Sequence, residues 1–274
     1  MSDSFEERGD AAPDTLNTTI EAAIDTVEAT VADAGPVDAS AFAALGLAPE
    51  LVAAVADLGY TQPTAVQARV MPKALLAEGE TRHADLMVSS QTGSGKTAAF
   101  LLPVLHTLLQ QRAEATARER AERDRLAAEA LARGEAPPKA PKRKDPTNPR
   151  HFKAATPGAL VLCPTRELAQ QVAHDAIDLV RHCRGLRVAN VVGGMPYQLQ
   201  IAKLQNADLV VATPGRLLDL QRSQQLKLDE VQFLVVDEAD RMLDLGFADD
   251  LAEVNLLTAQ RRQTMMFSAT FAPR

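Results

Sequence analysis

Six short apolar runs, none with alternating polar positions, are spaced along the chain between residues 86 and 267. Such runs are typical of strands that are buried on both faces of a parallel sheet. They alternate with segments whose apolar residues have helical spacing. The pattern predicts an α/β fold with a parallel sheet and helices on both faces. The predicted strands are Leu86–Val88, Ala159–Cys163, Val188–Val192, Leu209–Ala212, Phe233–Val236 and Met265–Phe267.

Two helices are predicted from apolar spacing and from the residues that end them. Apolar side chains recur at helical spacing from Phe42 to Leu58, which predicts one helix. A longer helix is predicted from Phe100 to Arg133, where Gly134 and two following prolines end it. Its second half carries oppositely charged pairs four residues apart, which stabilise an exposed helix.

The segment from Ser90 to Thr97 lies between the first predicted strand and the long predicted helix. A strand, a loop of small residues and a helix that opens on Lys-Thr are the context of a phosphate-binding loop. The glycines let backbone N–H groups approach a phosphate, and the helix dipole favours its charge. We expect Lys96 to contact the outer phosphates and Thr97 to hold Mg²⁺. The predicted nucleotide-binding residues here are Ser90, Gln91, Thr92, Gly93, Ser94, Gly95, Lys96 and Thr97.

Acidic residues directly follow the fifth predicted strand. A carboxylate at the end of a buried strand that faces a phosphate loop is the second Mg²⁺ ligand that such sites need, and Asp237 has this position. Glu238 beside it is a candidate to orient and deprotonate an attacking water. The alternative is that both acids only cap a following helix, Arg241–Leu245. Together with Lys96 they form the predicted catalytic group.

Three further loops follow predicted strands and carry basic or hydroxyl residues. Because parallel strands end at one edge of a sheet, these loops are expected to line one surface. Thr213 is predicted to cap a helix that has Pro214 at its first position, but capping does not explain Arg166 or Arg216. The set suits a phosphodiester backbone better than a small substrate. Its members are Pro164, Thr165, Arg166, Glu167, Gly193, Gly194, Thr213, Pro214, Gly215 and Arg216.

Gln67 has two possible roles that the sequence leaves open. It stands three residues after Thr64, which is the spacing of a helix capping box. Its amide is also a donor and an acceptor together, and such a group can pair with the edge of adenine. Tyr60 would then supply a stacking surface for the base.

Ser268 and Thr270 end the last predicted strand. Their hydroxyls could hydrogen-bond the carboxylates of residues 237–240, Asp240 included, and thereby report the nucleotide state to neighbouring parts of the protein. Alternatively they form an ordinary turn at the end of a strand.

The charge of the chain is unevenly distributed. The net charge is −7, yet residues 1–40 alone hold ten acids and one arginine, so the remainder is slightly basic. We expect residues 1–40 to be a disordered acidic tail. Residues 112–157 are expected to form a mobile basic insertion, for which contact with RNA phosphates and simple solvation are comparably plausible.

Other classes of protein are disfavoured by composition. The two cysteines lie in or beside apolar patterns, which indicates neither a disulfide framework nor a zinc site. The first forty residues are acidic and do not have the pattern of a signal peptide, and no apolar run has membrane-spanning length. The expectation is a cytoplasmic protein that does not contact membranes.

With these motifs identified, the chain resembles the first RecA-like domain of a DEAD-box ATP-dependent RNA helicase. The resemblance covers about residues 40–274. The motifs that carry it are Phe42, Gly59–Gln67, Ser90–Thr97, Pro164–Ala169, Gly193-Gly194, Thr213–Arg216, Asp237–Asp240 and Ser268–Thr270.

The resemblance implies roles for these residues. It implies that Gln67 recognises the adenine of ATP, and that the phosphate loop and Asp237 bind the phosphates with Mg²⁺. The loops that contain Arg166, Gly193-Gly194 and Arg216 are implied to bind the RNA backbone. Asp240, Ser268 and Thr270 are implied to couple hydrolysis to unwinding.

The sequence also departs from the family pattern. Ser90 stands where Ala is usual, and Asn206 stands near a position that often holds Gly. The chain stops four residues after Thr270, so the second RecA-like domain of the family is expected to be missing. We therefore expect a monomer that binds ATP and RNA but that is nearly inactive alone.

Two other functions were considered. A nucleotide-dependent RNA-binding scaffold would not need Lys96, Asp237 and Glu238 together, so their presence argues against it. A GTPase or small-molecule kinase is disfavoured because the chain lacks an Asn-Lys-x-Asp run for guanine and has Gln67 with Tyr60.

Overall fold

Each of the six apolar runs is a strand in the computed structural model, which describes residues 38–76, 82–136 and 153–270. All the strands are parallel, and their order across the sheet is β1-β6-β5-β2-β4-β3. The predicted fold class is therefore confirmed. The strands are β1 Leu86–Ser89, β2 Ala159–Leu162, β3 Val188–Val191, β4 Leu209–Ala212, β5 Phe233–Val236 and β6 Gln263–Ser268.

Nine helices precede or connect these strands in the part of the chain that the structure describes. Residues 1–37 of the predicted acidic tail and residues 137–152 of the predicted insertion lie outside that part. The helices are α1 Ser40–Ala43, α2 Pro49–Asp57, α3 Ala65–Ala74, α4 Lys96–Ala132, α5 Arg166–Leu179, α6 Tyr197–Leu204, α7 Pro214–Arg222, α8 Ala239–Asp244 and α9 Ala248–Leu257.

The strand order places helices on both faces of the sheet. The connections from β1 to β2 and from β2 to β3 move in one direction across the sheet, and the later connections move back. Because parallel crossovers are right-handed, the two directions place their helices on opposite faces. One apolar core accordingly contains side chains of α1–α5 with Ala159 and Val161. The other contains side chains of α6–α9 with Leu160 and Leu162.

The prediction of a single helix from Phe42 to Leu58 is wrong. The chain forms α1, leaves it through Gly46 with φ +84°, and begins α2 at Pro49. A glycine in the left-handed conformation ends a helix, and proline favours the first position of the next one. Both interruptions are visible in the sequence, but the continuous apolar spacing conceals them.

Helix α4 continues beyond the core and is fixed at the point where it leaves. Arg112 Nη1 donates to both carboxylate oxygens of Asp208, at 3.0 and 3.2 Å. Asp208 Oδ2 also accepts the backbone N–H of Arg187 at 2.8 Å. The amides of Gln111 and Gln232 hydrogen-bond each other at 2.9 and 3.2 Å. The first turn of the projecting part is therefore attached to the loops that start β4 and β5.

The predicted insertion, residues 112–157, is structured at both ends. Its first part continues α4 to Ala132, as the sequence predicts. Near its end, Ala155 N–H donates to Gln225 O at 3.1 Å, and Lys227 N–H donates to Ala155 O at 2.9 Å. Ala155 is buried. The mobility of the segment between these ends stays a prediction.

Candidate functional site

The predicted site residues lie at one edge of the sheet. The phosphate loop follows β1, Asp237 and Glu238 follow β5, and Ser268 ends β6. Because β1, β6 and β5 are adjacent in the sheet, these three chain segments meet at their carboxyl ends. The sheet order thus brings together residues that are separated by up to about 180 positions in the sequence.

The phosphate loop is shaped around Gly95. Its φ of +83° lies in the left-handed region, which favours glycine. A Cβ at this position would lie 2.7 Å from Gln67 Nε2 and 2.8 Å from Thr64 Oγ1. Both the backbone conformation and the close packing of α3 therefore require a glycine.

Gln67 forms the predicted capping box and also contacts the phosphate loop. Thr64 N–H donates to Gln67 Oε1 at 3.0 Å, and Gln67 N–H donates to Thr64 Oγ1 at 3.3 Å. Gln67 Nε2 donates to Gly95 O at 3.0 Å. The capping hypothesis is confirmed. Each polar atom of the amide can make one more hydrogen bond, so recognition of adenine by the same side chain stays a prediction.

Lys96 forms ion pairs with both predicted catalytic carboxylates. Its Nζ lies 2.9 Å from Asp237 Oδ1 and 3.5 Å from Glu238 Oε1. Asp237 is completely buried, and this burial raises the pKa of its carboxyl, while the charge of Lys96 opposes the rise. Lys96 therefore stabilises the ionised form that a metal ligand needs.

Several buried oxygens around this ion pair have no hydrogen-bond partner among the described residues. They include Asp237 Oδ2, Ser90 Oγ and Ser94 Oγ. Buried polar atoms are nearly always paired, so such a cluster is suited to bind a ligand with polar groups. Carboxylate and hydroxyl oxygens are the donors that Mg²⁺ prefers. The donor set, with Asp237 and the Thr97 hydroxyl at the start of α4, fits this ion and a phosphate group.

Glu238 has an unusual backbone conformation. Its φ of +52° places a residue other than glycine in the left-handed region, a strained state that is often found at functional sites. Its carboxylate lies between two cations, since Oε2 accepts from Arg241 Nη1 at 3.3 Å and Oε1 faces Lys96. The turn thus places the carboxylate between Lys96 at the end of the phosphate loop and Arg241 in α8.

A cavity of about 650 Å³ extends from the phosphate loop across α3 to α5. Among the predicted nucleotide-binding residues, Tyr60, Gln67, Thr92, Gly93, Gly95, Lys96 and Thr97 line it, together with Glu238. The sequence analysis missed the polar face that α5 contributes, namely Gln171, Asp175 and Asp178. Their spacing of four and three residues along a helix is the signal that could have revealed them.

A smaller cavity of about 200 Å³ opens on the other side of Lys96, and it is lined by Ser90, Glu238 and Asp240 among others. At its rim, Asp240 Oδ2 accepts hydrogen bonds from Thr270 N–H at 3.1 Å and from the Thr270 hydroxyl at 3.0 Å. Ser268 Oγ instead donates to Thr270 O at 2.7 Å. The predicted bond to a carboxylate is thus confirmed for Thr270. For Ser268 it stays a prediction, although the Ser268 hydroxyl also helps to lower the pKa of the Asp240 carboxyl.

A third cavity of about 460 Å³ lies beside these two, at the ends of β2, β3 and β4. It brings together most of the residues that were predicted to line a phosphodiester backbone, whereas Gly194 and Pro214 do not reach it. Asp219 and Phe247 also line it and were missed because neither belongs to a strand-end motif. The predicted residues in its wall are Pro164, Thr165, Arg166, Glu167, Gly193, Thr213, Gly215 and Arg216.

Arg166 crosses from α5 to the loop after β3. Its Nη1 donates to Gly193 O at 3.4 Å. A Cβ at Gly194, where φ is +79°, would collide with the same guanidinium. The glycine pair therefore leaves room for the arginine to lie across the loop. Gly194 is accordingly required beneath Arg166 and not in the cavity wall.

Thr213 and Arg216 lie at the start of α7. Thr213 occupies the capping position with Pro214 after it, as predicted, but its side chain makes no capping hydrogen bond. Its hydroxyl is therefore not used to cap α7, and the residue lines the third cavity. Arg216 lies in the same wall, with Nε 3.9 Å from Asp219 Oδ2.

Comparison with known protein families identifies the chain. The family model "DEAD/DEAH box helicase" matches residues 64–274, which is most of the chain. The chain belongs to the DEAD/DEAH box helicase family. Its order of motifs along the sheet edge agrees with the resemblance found from the sequence.

Curated relatives of this DEAD-box domain are longer proteins. This chain is 40% identical over 244 residues to DEAD-box ATP-dependent RNA helicase 52A of Oryza sativa, and the match covers 87% of this chain and 35% of that protein. It is 38% identical over 229 residues to ATP-dependent RNA helicase RhlB of Pseudomonas aeruginosa, covering 82% of this chain and 47% of the relative. The chain thus spans between a third and a half of the length of these relatives.

Solved structures of the family have the same fold. The yeast DEAD-box splicing factor Prp28 aligns with a TM-score of 0.63 and 28% identity over 83% of this chain and 46% of that one. A hypothetical ATP-dependent RNA helicase from Sulfolobus tokodaii aligns with a TM-score of 0.59 and 32% identity over 81% of this chain and 50% of that one. The RecA-like architecture is therefore established.

The DEAD-box domain tolerates the departures from the family pattern. Asn206 adopts φ +58°, the left-handed conformation that asparagine accepts more readily than most residues. Ser90 is buried where Ala is usual, and its N–H donates to Ser268 O at 3.1 Å, which extends the pairing of β1 with β6.

Among the helices in the described ranges, none has the length and apolar character needed to cross a bilayer.

Proposed function

We propose that this chain is the ATP- and RNA-binding half of a DEAD-box RNA helicase, which in a longer protein couples ATP hydrolysis to duplex unwinding or remodelling. The observation that carries the proposal is the contact of Lys96 with both Asp237 and Glu238 at one sheet edge. The cavity that contains Arg166 and Arg216 opens at the same edge. A nucleotide site and a phosphodiester site thus share a single row of strand ends.

The nucleotide is proposed to be ATP. The wall of the 650 Å³ cavity contains the phosphate loop, Gln67 beside it, and Tyr60. Gln67 keeps one free N–H and one free lone pair, the complementary pair that the edge of adenine needs. Tyr60 is about 41% exposed, so its ring is available for stacking.

Mg²⁺ is proposed to be held by the Thr97 hydroxyl and the Asp237 carboxylate, and when bound it would neutralise charge on the phosphates. Lys96 lines the 650 Å³ cavity, and its Nζ would leave the ion pair with Asp237 to contact a phosphate oxygen. Glu238 would accept a proton from the attacking water. Its carboxylate lies between Lys96 and Arg241, beside the phosphate loop where an attacking water would have to be bound.

The nucleic acid is proposed to be RNA that contacts the third cavity through its backbone. Arg166 and Arg216 would supply cations, and Thr165 and Thr213 would supply hydroxyls beside them. Contacts of this kind carry no base sequence information. Binding should therefore depend weakly on sequence and strongly on salt.

Catalysis is proposed to need a second RecA-like domain in cis, as in the family. Phosphoryl transfer depends on cations at the developing charge, and an arginine finger contributes about 10³–10⁵ in rate. Arg166 and Arg216 line the third cavity and not the nucleotide cavity, so neither is placed for this role. Residues 1–274 should act as a monomer that binds ATP and RNA and hydrolyses ATP very slowly.

A cytoplasmic location is proposed together with this function.

The test compares ATP hydrolysis by residues 1–274 with that of a longer protein that contains them, each with and without RNA. We expect RNA to stimulate only the longer protein. Lys96→Ala in both proteins is the control for contaminating ATPases. Strong RNA-stimulated turnover by residues 1–274 would contradict the need for a second domain, and nucleotide binding without turnover by the longer protein would favour a scaffold.

A further inference from the structure

Arg216, a cation in the wall of the third cavity, contacts Tyr197, which lies outside the motifs described above. Its Cζ lies over the ring of Tyr197, 5.9 Å from the ring centroid. A carboxylate is also near: Asp219 Oδ2 lies 3.9 Å from Arg216 Nε, which is longer than a hydrogen bond. The side chain of Arg216 is about 20% exposed. The ring of Tyr197 and the carboxylate of Asp219 are therefore the two groups beside the guanidinium that orient it.

The contact with the ring leaves the guanidinium able to bind a phosphate. The cation–π contact engages the charge of the group at 5.9 Å from the ring centroid, whereas a phosphate is bound through its N–H groups. No hydrogen bond from the Arg216 guanidinium to any other part of the described chain is present, so those N–H groups are not consumed by the protein. The ring thus orients Arg216 without competing with a ligand.

Tyr197 is itself held in place from both of its ends. Its hydroxyl hydrogen-bonds Ser223 Oγ at the end of α7. Because Ser223 Oγ donates its single proton to Leu220 O at 3.2 Å, Tyr197 is the donor in this bond. On the backbone side, Gln200 Nε2 in the same helix donates to Val192 O at 2.5 Å, which attaches α6 to the end of β3. The ring therefore joins α6 to α7.

We infer that Tyr197 is a positioning residue for RNA binding, because it fixes the guanidinium of Arg216 with its N–H edge available to a backbone phosphate. The inference rests on the proposed function, since it names how one cation of that site is oriented. It assigns no contact between Tyr197 and RNA. A tyrosine that stacks on a base would be a different role, and the experiment separates the two.

The experiment measures binding of a labelled 12-nucleotide oligouridylate to residues 1–274 by fluorescence anisotropy at several salt concentrations. We expect Tyr197→Ala to weaken binding about 2–5-fold, the effect of losing an exposed cation–π contact. Tyr197→Phe keeps the ring and should bind within about 2-fold of the parent chain. Leu199→Ala trims another exposed apolar side chain of α6 and should leave binding unchanged.

The double variant Tyr197→Ala/Arg216→Ala decides the mechanism. If Tyr197 acts through Arg216, the double variant binds RNA no more weakly than Arg216→Ala alone. If the two losses multiply, Tyr197 contacts RNA directly and the inference is wrong. Parent-like binding by Tyr197→Ala, while Arg216→Ala is impaired, would also overturn it. Thermal unfolding of each variant checks that the domain is intact.

A readout without RNA keeps this inference separate from the proposed function. The Arg216 Nε–H resonance should be shifted by the ring current of Tyr197 in the parent and in Tyr197→Phe, and should lose that shift in Tyr197→Ala. An unshifted resonance in the parent would refute the positioning role even if RNA binds. If the parent chain shows the shift but binds no RNA, the proposed function fails while the stacking itself is real.

Discussion

Thr270 donates two hydrogen bonds to Asp240 Oδ2, one from its backbone N–H at 3.1 Å and one from its hydroxyl at 3.0 Å. The two residues follow different strands, β6 and β5, which lie side by side in the sheet. The pair therefore connects the loop that carries the proposed catalytic carboxylates to the segment that leaves β6. Burial opposes ionisation of the Asp240 carboxyl, but hydrogen bonds from Thr270, from Arg241 N–H and from the Ser268 side chain outweigh it, so the pKa of Asp240 is lowered.

The first prediction concerns this pair. Thr270→Val removes the hydroxyl, keeps the shape and keeps the backbone bond, so the pKa of Asp240 should rise towards its ordinary value. A carbon-detected NMR titration of the carboxyl measures the change. Thr264→Val, within β6, removes a hydroxyl that accepts a hydrogen bond from Arg261 and serves as the control. An unchanged pKa of Asp240 in Thr270→Val would show that the hydroxyl bond is absent in solution.

Gln67→Ala is predicted to have two separable effects. It removes the bonds to Thr64 and Gly95, which should destabilise the domain by about 1–2 kcal/mol. It also leaves the edge of adenine unpaired, which should weaken ATP binding by about 1–3 kcal/mol and leave GTP binding nearly unchanged. Urea unfolding measures the first effect, and calorimetry with both nucleotides measures the second. Equal affinities for ATP and GTP in the parent chain would contradict the adenine assignment.

Lys96→Ala should destabilise the domain in a pH-dependent way. Without Lys96, the buried carboxylate of Asp237 loses its countercharge, and its pKa should rise further. A carboxyl with a raised folded-state pKa binds its proton more tightly when folded. Stability therefore falls as pH rises from the ordinary value of 3.8 through the folded-state pKa. The difference in unfolding free energy between variant and parent should thus be larger at pH 7 than at pH 5.

Glu238→Gln should separate binding from turnover. The substitution keeps the shape of the side chain and removes its ability to accept a proton, so ATP binding should persist. In a longer protein that contains this chain, the hydrolysis rate should fall by about 10²–10⁴-fold, the usual contribution of a general base. Glu253→Gln on α9 is a control outside the nucleotide cavities. Hydrolysis at the parent rate by Glu238→Gln would show that another group activates the water.

His106 should make the stability of the domain depend on pH. Its Nδ1 accepts the backbone N–H of Ala48 at 3.0 Å, and burial lowers its pKa from 6.5. The folded state holds the neutral imidazole, so its contribution is present above pH 6.5 and is lost as pH falls towards the folded-state pKa. Urea unfolding at pH 7.5 and 5.5 should show this loss in the parent. The loss should be smaller in His106→Leu, which cannot titrate.

The strands and the phosphate loop could be predicted from the sequence because their causes are local. An unbroken apolar run such as Leu209–Ala212 has few alternatives to a buried strand, and the spacing of Thr64 and Gln67 defines a capping box without reference to the rest of the fold. The break at Gly46 was missed although its cause is also local. There the apolar spacing continued through a turn.

Other features could not be predicted because they depend on contacts between distant segments. The left-handed conformation of Glu238 follows from the way the chain passes from β5 into α8 beside Lys96, which comes 142 residues earlier. The stacking of Tyr197 on Arg216 requires α6 and α7 to be placed next to each other by β3 and β4. Residue types alone give Tyr197 no role, since an aromatic side chain at a helix start is unremarkable.

Helix α4 extends from the nucleotide site to the surface of the domain. It begins at Lys96 and ends at Ala132 without a loop, which gives it a length of about 55 Å, and Pro103 lies in its buried part. A rotation of about 5° at the phosphate loop would move the far end of α4 by about 5 Å if the helix turned freely as a rigid body. The bonds of Arg112 and Gln111 to the loops before β4 and β5 oppose such a swing. Helix α4 is therefore anchored near its middle, and its outer half holds a fixed direction relative to the sheet.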